Sequence, residues 1–215
     1  SGNTIAAFET AIATQEGIIE GAIDAALDAV NEATTADELK AAIEGNAAKL
    51  GLATDSESEY GKLKTYFGDR QRSVSVDLLA NKPDADGYNL ATLQEYFNAI
   101  VATRHATQDS MDKVNDAESA EDLGIEWVTN LQARFDAAAG IYTYHSGVEL
   151  TAKANELEAL VGRYNDLPEE NQKAALQEVL DNKPEDGYSR SGNTIAAFET
   201  AIATQEGIVG DVNDD

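Results

Sequence analysis

A chain of 215 residues that is 42% hydrophobic and 26% charged has enough apolar material for one or two packed domains and too much for a disordered polymer. Its 40 acidic residues outnumber 15 basic ones, and the formal net charge of −25 excludes the basic surface that nucleic acid or anionic lipid would need. Cysteine is absent, which excludes disulfides and thiolate chemistry, and no stretch has the length and apolarity of a membrane span.

Strong acidity is best tolerated where salt or divalent ions screen self-repulsion. A saline or calcium-rich exterior fits, although an acidic cytoplasmic protein would have the same composition. The first residue is Ser1 and the sole methionine is Met111, from which we expect a fragment whose export signal or anchor lies elsewhere.

The first element is announced by SGNTIAAFETAIATQEGI, Ser1–Ile18, which is written again residue for residue as Ser191–Ile208. Identity this complete points to recent duplication, active homogenisation or deliberate design. Apolar positions run Ile5, Phe8, Ile12, Ile19, Ile23, Leu27 and Val30, interrupted at Gln15. This spacing predicts an amphipathic helix of about 45 Å, with Gly17 and Gly21 as weak points. Thr35 and Glu38 spell a capping box, so a second helix is expected from Ala36, carrying Leu39, Ile43 and Leu50 and ending at Gly51. A third is expected from about Ser58 to Ala80, with a break near Gly68-Asp69 and a stop before Pro83.

After PDADGY a helix is expected from about 89 to 117, with Leu90, Leu93, Phe97, Ile100, Met111 and Val114 on one face and no internal Gly or Pro. Ser119 should cap a helix holding Leu123, Trp127, Leu131 and Phe135. AAAGIYTYHSG reads as a turn region, Leu150–Tyr164 as helix, and Pro168 as the opening of a helix that ends near Leu180. No segment has the alternation of a strand.

Two phrases recur in the same order. VNEATTADEL, Val30–Leu39, returns as VNDAESAEDL, Val114–Leu123, and LLANKPDADGY, Leu78–Tyr88, returns as VLDNKPEDGY, Val179–Tyr188. The helices that follow the second phrase align Phe97 with Phe198, and Phe8 is their third equivalent. The sequence therefore divides into one helical-bundle repeat at 1–103, a second at 104–208 and an acidic tail at 209–215. The expected fold is all-α, two tandem helical bundles sharing the helix near 89–117, rod-like in the manner of spectrin. Residues 191–208 would supply to the second bundle the closing helix that Leu90–Thr103 supplies to the first.

AVNEATTADELKAAIEGNAAKLGL followed by VDLLANKPDADGY resembles the all-helical repeat modules of large bacterial cell-surface proteins, including S-layer-type and cell-wall-anchored proteins. The resemblance covers mainly Ala29–Phe97 and survives in the second repeat only at Val114–Leu123 and Leu180–Tyr188. It implies an extracellular spacer or assembly module and transfers no active-site residue.

The residues themselves offer little chemistry. His105 and His145 are the only histidines, and no metalloprotease, serine-hydrolase or phosphate-loop motif accompanies them. Glu169-Glu170 reads as helix-dipole complementation. The window Asp84–Glu95 places Asp84, Asp86 and Glu95 at three positions of a calcium loop, but Gly87 falls at the wrong place, and a turn chosen for backbone geometry is the competing reading. Tyr142, Tyr144 and His145 form an aromatic group that could hold a glycan. Trp127 and Phe135, at core spacing, are expected to be buried. Lys62, Lys64, Arg70 and Arg72 are expected to pair with acidic faces.

The reading is a non-enzymatic structural module of a bacterial surface protein, extracellular and without a cofactor unless calcium occupies the Asp84 turn. It would act as a spacer or as a self-assembling unit of a layer or fibre. Its partner would be itself, head to tail, through the stripe Ile5, Phe8 and Ile12, with neither nucleic acid nor membrane insertion. A module that binds cell-wall polymer or glycan is the alternative.

Overall fold

The computed structural model describes residues 2–63, 70–83, 87–141, 145–188 and 191–213, with the side chains at 2, 3, 70, 145–148, 191 and 211–213 also left undescribed. Every regular element among the described residues is a helix: α1 Gly2–Glu32, α2 Ala36–Leu50, α3 Arg70–Ala80, α4 Leu90–Asp116, α5 Ala120–Leu123, α6 Glu126–Ile141, α7 His145–Asp166, α8 Glu169–Asp181 and α9 Ser191–Asn213. The chain is an all-α protein whose helices pack into bundles, and no described helix is long and apolar enough to cross a membrane.

Local chemistry sets the element boundaries. The Thr35 side chain accepts from the Glu38 N–H at 3.2 Å, while the Glu38 carboxylate accepts from the N–H groups of Thr34 and Thr35 at 3.0 and 3.1 Å, so the capping box forms in full at the start of α2. These bonds to its charged form, those from Thr34 foremost, hold the Glu38 carboxyl below the ordinary carboxylate value. Ser119 caps α5 with its side chain, accepting from the Asp122 N–H at 3.1 Å.

Several elements depart from the sequence expectation. The third helix does not begin at Ser58. Asp55 Oδ1 accepts from the N–H groups of Glu57 and Ser58 at 2.9 Å each, and Ser58 Oγ donates to the Asp55 carbonyl at 2.6 Å, so side-chain bonds fold this stretch into turns instead. The helix capped by Ser119 stops after one turn at Gly124, which sits at φ 59, and restarts as α6. The alanine-rich stretch expected as a turn is helical through Ile141, because Ala137–Ala139 have high helix propensity and Ala138 is buried as α6 packs along α7.

The chain divides into two compact units, Ser1–Lys62 with Asp69–Asn98, and Leu63–Gly68 with Ala99–Asp215. The division falls inside α4, a few residues before the boundary expected at 103. In unit 1, α2 packs against α1 and α3. Val30, Leu39, Ile43, Leu50, Val74, Leu78, Leu93 and Phe97 are buried there. Gln94 of α4 donates to the Leu50 carbonyl at 2.8 Å, and the Tyr60 and Phe97 rings lie 5.3 Å apart.

In unit 2, α6 packs along α7, and α9 lies against α8 and α7. The core there joins Val114, Leu123, Trp127, Val128, Leu131 and Phe135 to Leu157, Leu160, Tyr164, Leu176 and Val179, with Phe198, Ala201 and Ile202 of α9. The α9 helix continues to Asn213, into the segment expected as an acidic tail.

Candidate functional site

Both units carry the same clasp, built from the phrases that recur in the sequence. In unit 1, Asn31 near the end of α1 accepts from the Tyr88 N–H at 2.8 Å and donates to the Tyr88 carbonyl at 2.9 Å. Lys82 donates to the Asn31 carbonyl, and the Tyr88 hydroxyl donates to the Leu78 carbonyl at 2.7 Å. In unit 2, Asn115 accepts from the Tyr188 N–H at 2.7 Å and donates to its carbonyl at 2.8 Å. Lys183 donates to the Asn115 carbonyl at 2.7 Å, and the Tyr188 hydroxyl donates to the Val179 carbonyl at 3.2 Å.

One amide side chain thus ties the loop before the closing helix to the end of the opening helix. The glycine in that loop is required by the clasp. Gly87 and Gly187 adopt φ 65 and 75, where side chains are strained, and a Cβ would stand 2.5 Å from Asn31 Oδ1 and 2.9 Å from Asn115 Oδ1. The last helical turn before the loop repeats as well: Asn81 and Asn182 donate back to the carbonyls of Asp77 and Glu178 at 2.8 and 3.0 Å.

The clasp places a closing helix on each bundle, and the duplicated segment exposes the consequence. In α9, Phe198 and Ile202 are 0% exposed, as are Thr194 and Ala201. The Phe198 ring packs edge-on to Trp127 with centroids 5.5 Å apart and against Tyr164 at 5.6 Å. At the margin, Arg163 grips Glu206 with two hydrogen bonds of 2.9 and 2.7 Å, Asn171 donates to Gln205 at 3.1 Å, and Thr204 donates to Glu178 at 3.1 Å. The hydrogen bonds from Arg163 hold the Glu206 carboxyl below its ordinary value and raise the guanidinium in turn, and burial raises the Tyr164 phenol.

The identical residues of α1 are in the opposite state. Phe8 is 68% exposed, Ile5 61% and Ile12 42%, and Thr4, Ala11 and Gln15 are exposed with them. All three residues of the predicted assembly stripe therefore lie on one uncovered helix face. Packing of α1 begins only at its C-terminal third, where Ala26 and Val30 are buried. Ile18 and its counterpart Ile208 are both exposed, so the part of the duplicated segment that differs between its two settings ends near Gln15. Burying side chains such as Phe8 and Ile12 stabilises by about 1.5–3 kcal/mol each, a gain that α1 does not realise within its own chain.

Most of the other sequence candidates lie outside the described residues. Asp84 and Asp86 lie outside the described residues, Glu95 is exposed on α4, and no cluster of three possible metal ligands occurs among the described residues. Tyr142 and Tyr144 also lie outside them, as does the side chain of His145, the first residue of α7. Trp127 and Phe135 are buried in the unit 2 core. Of the basic group, Arg72 pairs with Asp37 at 2.7 Å and Lys62 with Glu59 at 3.7 Å; Lys64 and the Arg70 side chain lie outside the described residues. Sequence reasoning marked the Asn, Lys, Gly and Tyr of the clasp as repeat signatures but not as mutual partners. Their recurrence in fixed order was the signal that joins them.

No known family model matches the chain, and neither a curated protein nor a solved structure is similar enough to count as a match.

Proposed function

We propose that the chain is a non-enzymatic structural repeat module of a bacterial surface protein, a spacer or self-assembling unit of an extracellular layer or fibre. The observation that carries this reading is the same hydrogen-bonded clasp in both units, joined to the exposed copy of a helix that is buried elsewhere in the chain. A clasp of this kind fixes where each bundle receives its closing helix, so modules can be strung together with one packing rule. An apolar helix face left open beside such modules is suited to joining copies. The net charge of −25 suits a salty exterior.

Two assays on the intact chain test the role. Incubation with bacterial cell-wall polysaccharides should release no reducing ends or unsaturated sugars, and turnover abolished by His145→Ala would replace the structural reading with an enzymatic one. Co-sedimentation with purified cell-wall polymer should be negligible. Binding that is lost in Tyr142→Ala/Tyr144→Ala would make the chain a polymer-binding module instead.

A further inference from the structure

We propose that the N-terminal part of α1 from one copy of this chain seats in the groove formed by α6, α7 and α8 of a second copy, in the position that α9 occupies in its own chain. The inference deepens the self-assembling reading above and rests on it. The groove's occupant is identified by the groove itself: it already holds the sequence SGNTIAAFETAIATQEGI, and α1 carries that sequence without a change.

The match extends to the groups that α9 uses within the duplicated segment. Phe8 would take the place of Phe198 between Trp127 and Tyr164, and Ile12 that of Ile202. Glu16 would meet Arg163, Gln15 would meet Asn171, and Thr14 would meet Glu178, as Glu206, Gln205 and Thr204 do now. Apolar shape, ion pair and side-chain hydrogen bonds thus agree at one register. The contact is heterologous, a groove on one copy and a helix on the other, so every copy offers both halves of it and can link to further copies. Tethered α9 competes at high effective concentration, and exchange therefore becomes visible when α9 is weakened.

The test uses the full chain with Phe198→Ala and Glu206→Arg, which strip α9 of its ring and its ion pair while leaving Phe8 and Glu16 intact. Sedimentation equilibrium should then show species of at least twice the 22.9 kDa monomer. Emission of Trp127, the sole tryptophan, should return toward that of the unaltered chain as association proceeds. Adding Phe8→Ala and Glu16→Arg should restore monomers. A helical monomer at every concentration overturns the proposal, as does association that survives the second pair of substitutions. If the first pair abolishes helicity, a synthetic peptide of residues 1–18 in excess should restore the circular dichroism and the Trp127 emission, and no recovery overturns the proposal equally. The turnover and polymer assays read the structural role by other means, so a failure here removes the helix exchange and leaves that role to stand on those assays.

Discussion

At the scale of single residues, two asparagines fifty-seven and seventy-three positions from their partners matter most. Asn31 and Asn115 each satisfy both backbone groups of a buried tyrosine, and truncation would leave an N–H and a C=O without partners. Asn31→Ala and Asn115→Ala should each cost about 2–4 kcal/mol in denaturant unfolding, several times an ordinary surface substitution. These asparagines were legible only as letters in a recurring phrase. Hydrogen bonds across such separations follow from how the helices pack, and no local periodicity encodes them. The capping box is the opposite case, since Thr35 and Glu38 find each other within one turn and the pattern alone locates them. The Arg163–Glu206 pair carries a pH signature. Because Glu206 is held below 4.5, its contribution is complete above that value and is lost as pH falls through the depressed one. The stability difference between the unaltered chain and Glu206→Gln, about 0.5 kcal/mol for so exposed a pair, should therefore vanish in acid and shrink in salt.

At the scale of elements, one helical sequence is held in two environments. Its own propensity is the same in both, so any difference in stability belongs to the partner surface. Phe198→Ala should cost about 3–5 kcal/mol in unfolding of unit 2, whereas Phe8→Ala should change stability by less than about 0.5 kcal/mol. Equal effects would mean that α1 is covered in solution. The sequence made the long helices legible because their apolar spacing is sustained over many turns, and α4 runs 90–116 against an expected 89–117. It misplaced the start of α3 and the end of α6 for identifiable reasons. Asp55 and Ser58 compete for backbone groups, and the alanine run continues α6 without contributing a large apolar side chain to the pattern.

At the scale of the whole molecule, charge and the exposed stripe act against each other. A net charge of −25 keeps copies apart at low ionic strength, while Ile5, Phe8 and Ile12 favour contact. Thermal stability should rise between low and moderate salt, as screening reduces repulsion within each copy. Calcium should do no more than magnesium at matched ionic strength unless the turn at Asp84 and Asp86 binds it specifically, in which case Asp84→Asn should erase the excess. The duplication at Ser191–Ile208 and the all-helical class were legible from letters alone. That one copy is covered and the other bare was not, because burial is a property of the partner surface and both copies read identically.

The central claim, that identical segments are open in α1 and closed in α9, can be read by thiol labelling, since the chain has no cysteine of its own to interfere. Ala11 and Ala201 are equivalent, the first exposed and the second 0% exposed. In separate single-cysteine variants, Ala11→Cys should react with a thiol reagent at the rate of a free peptide. Ala201→Cys should react more slowly by roughly a hundredfold or more, the logarithm of the ratio scaling with the free energy of opening the bundle. Equal rates at the two positions would contradict the account.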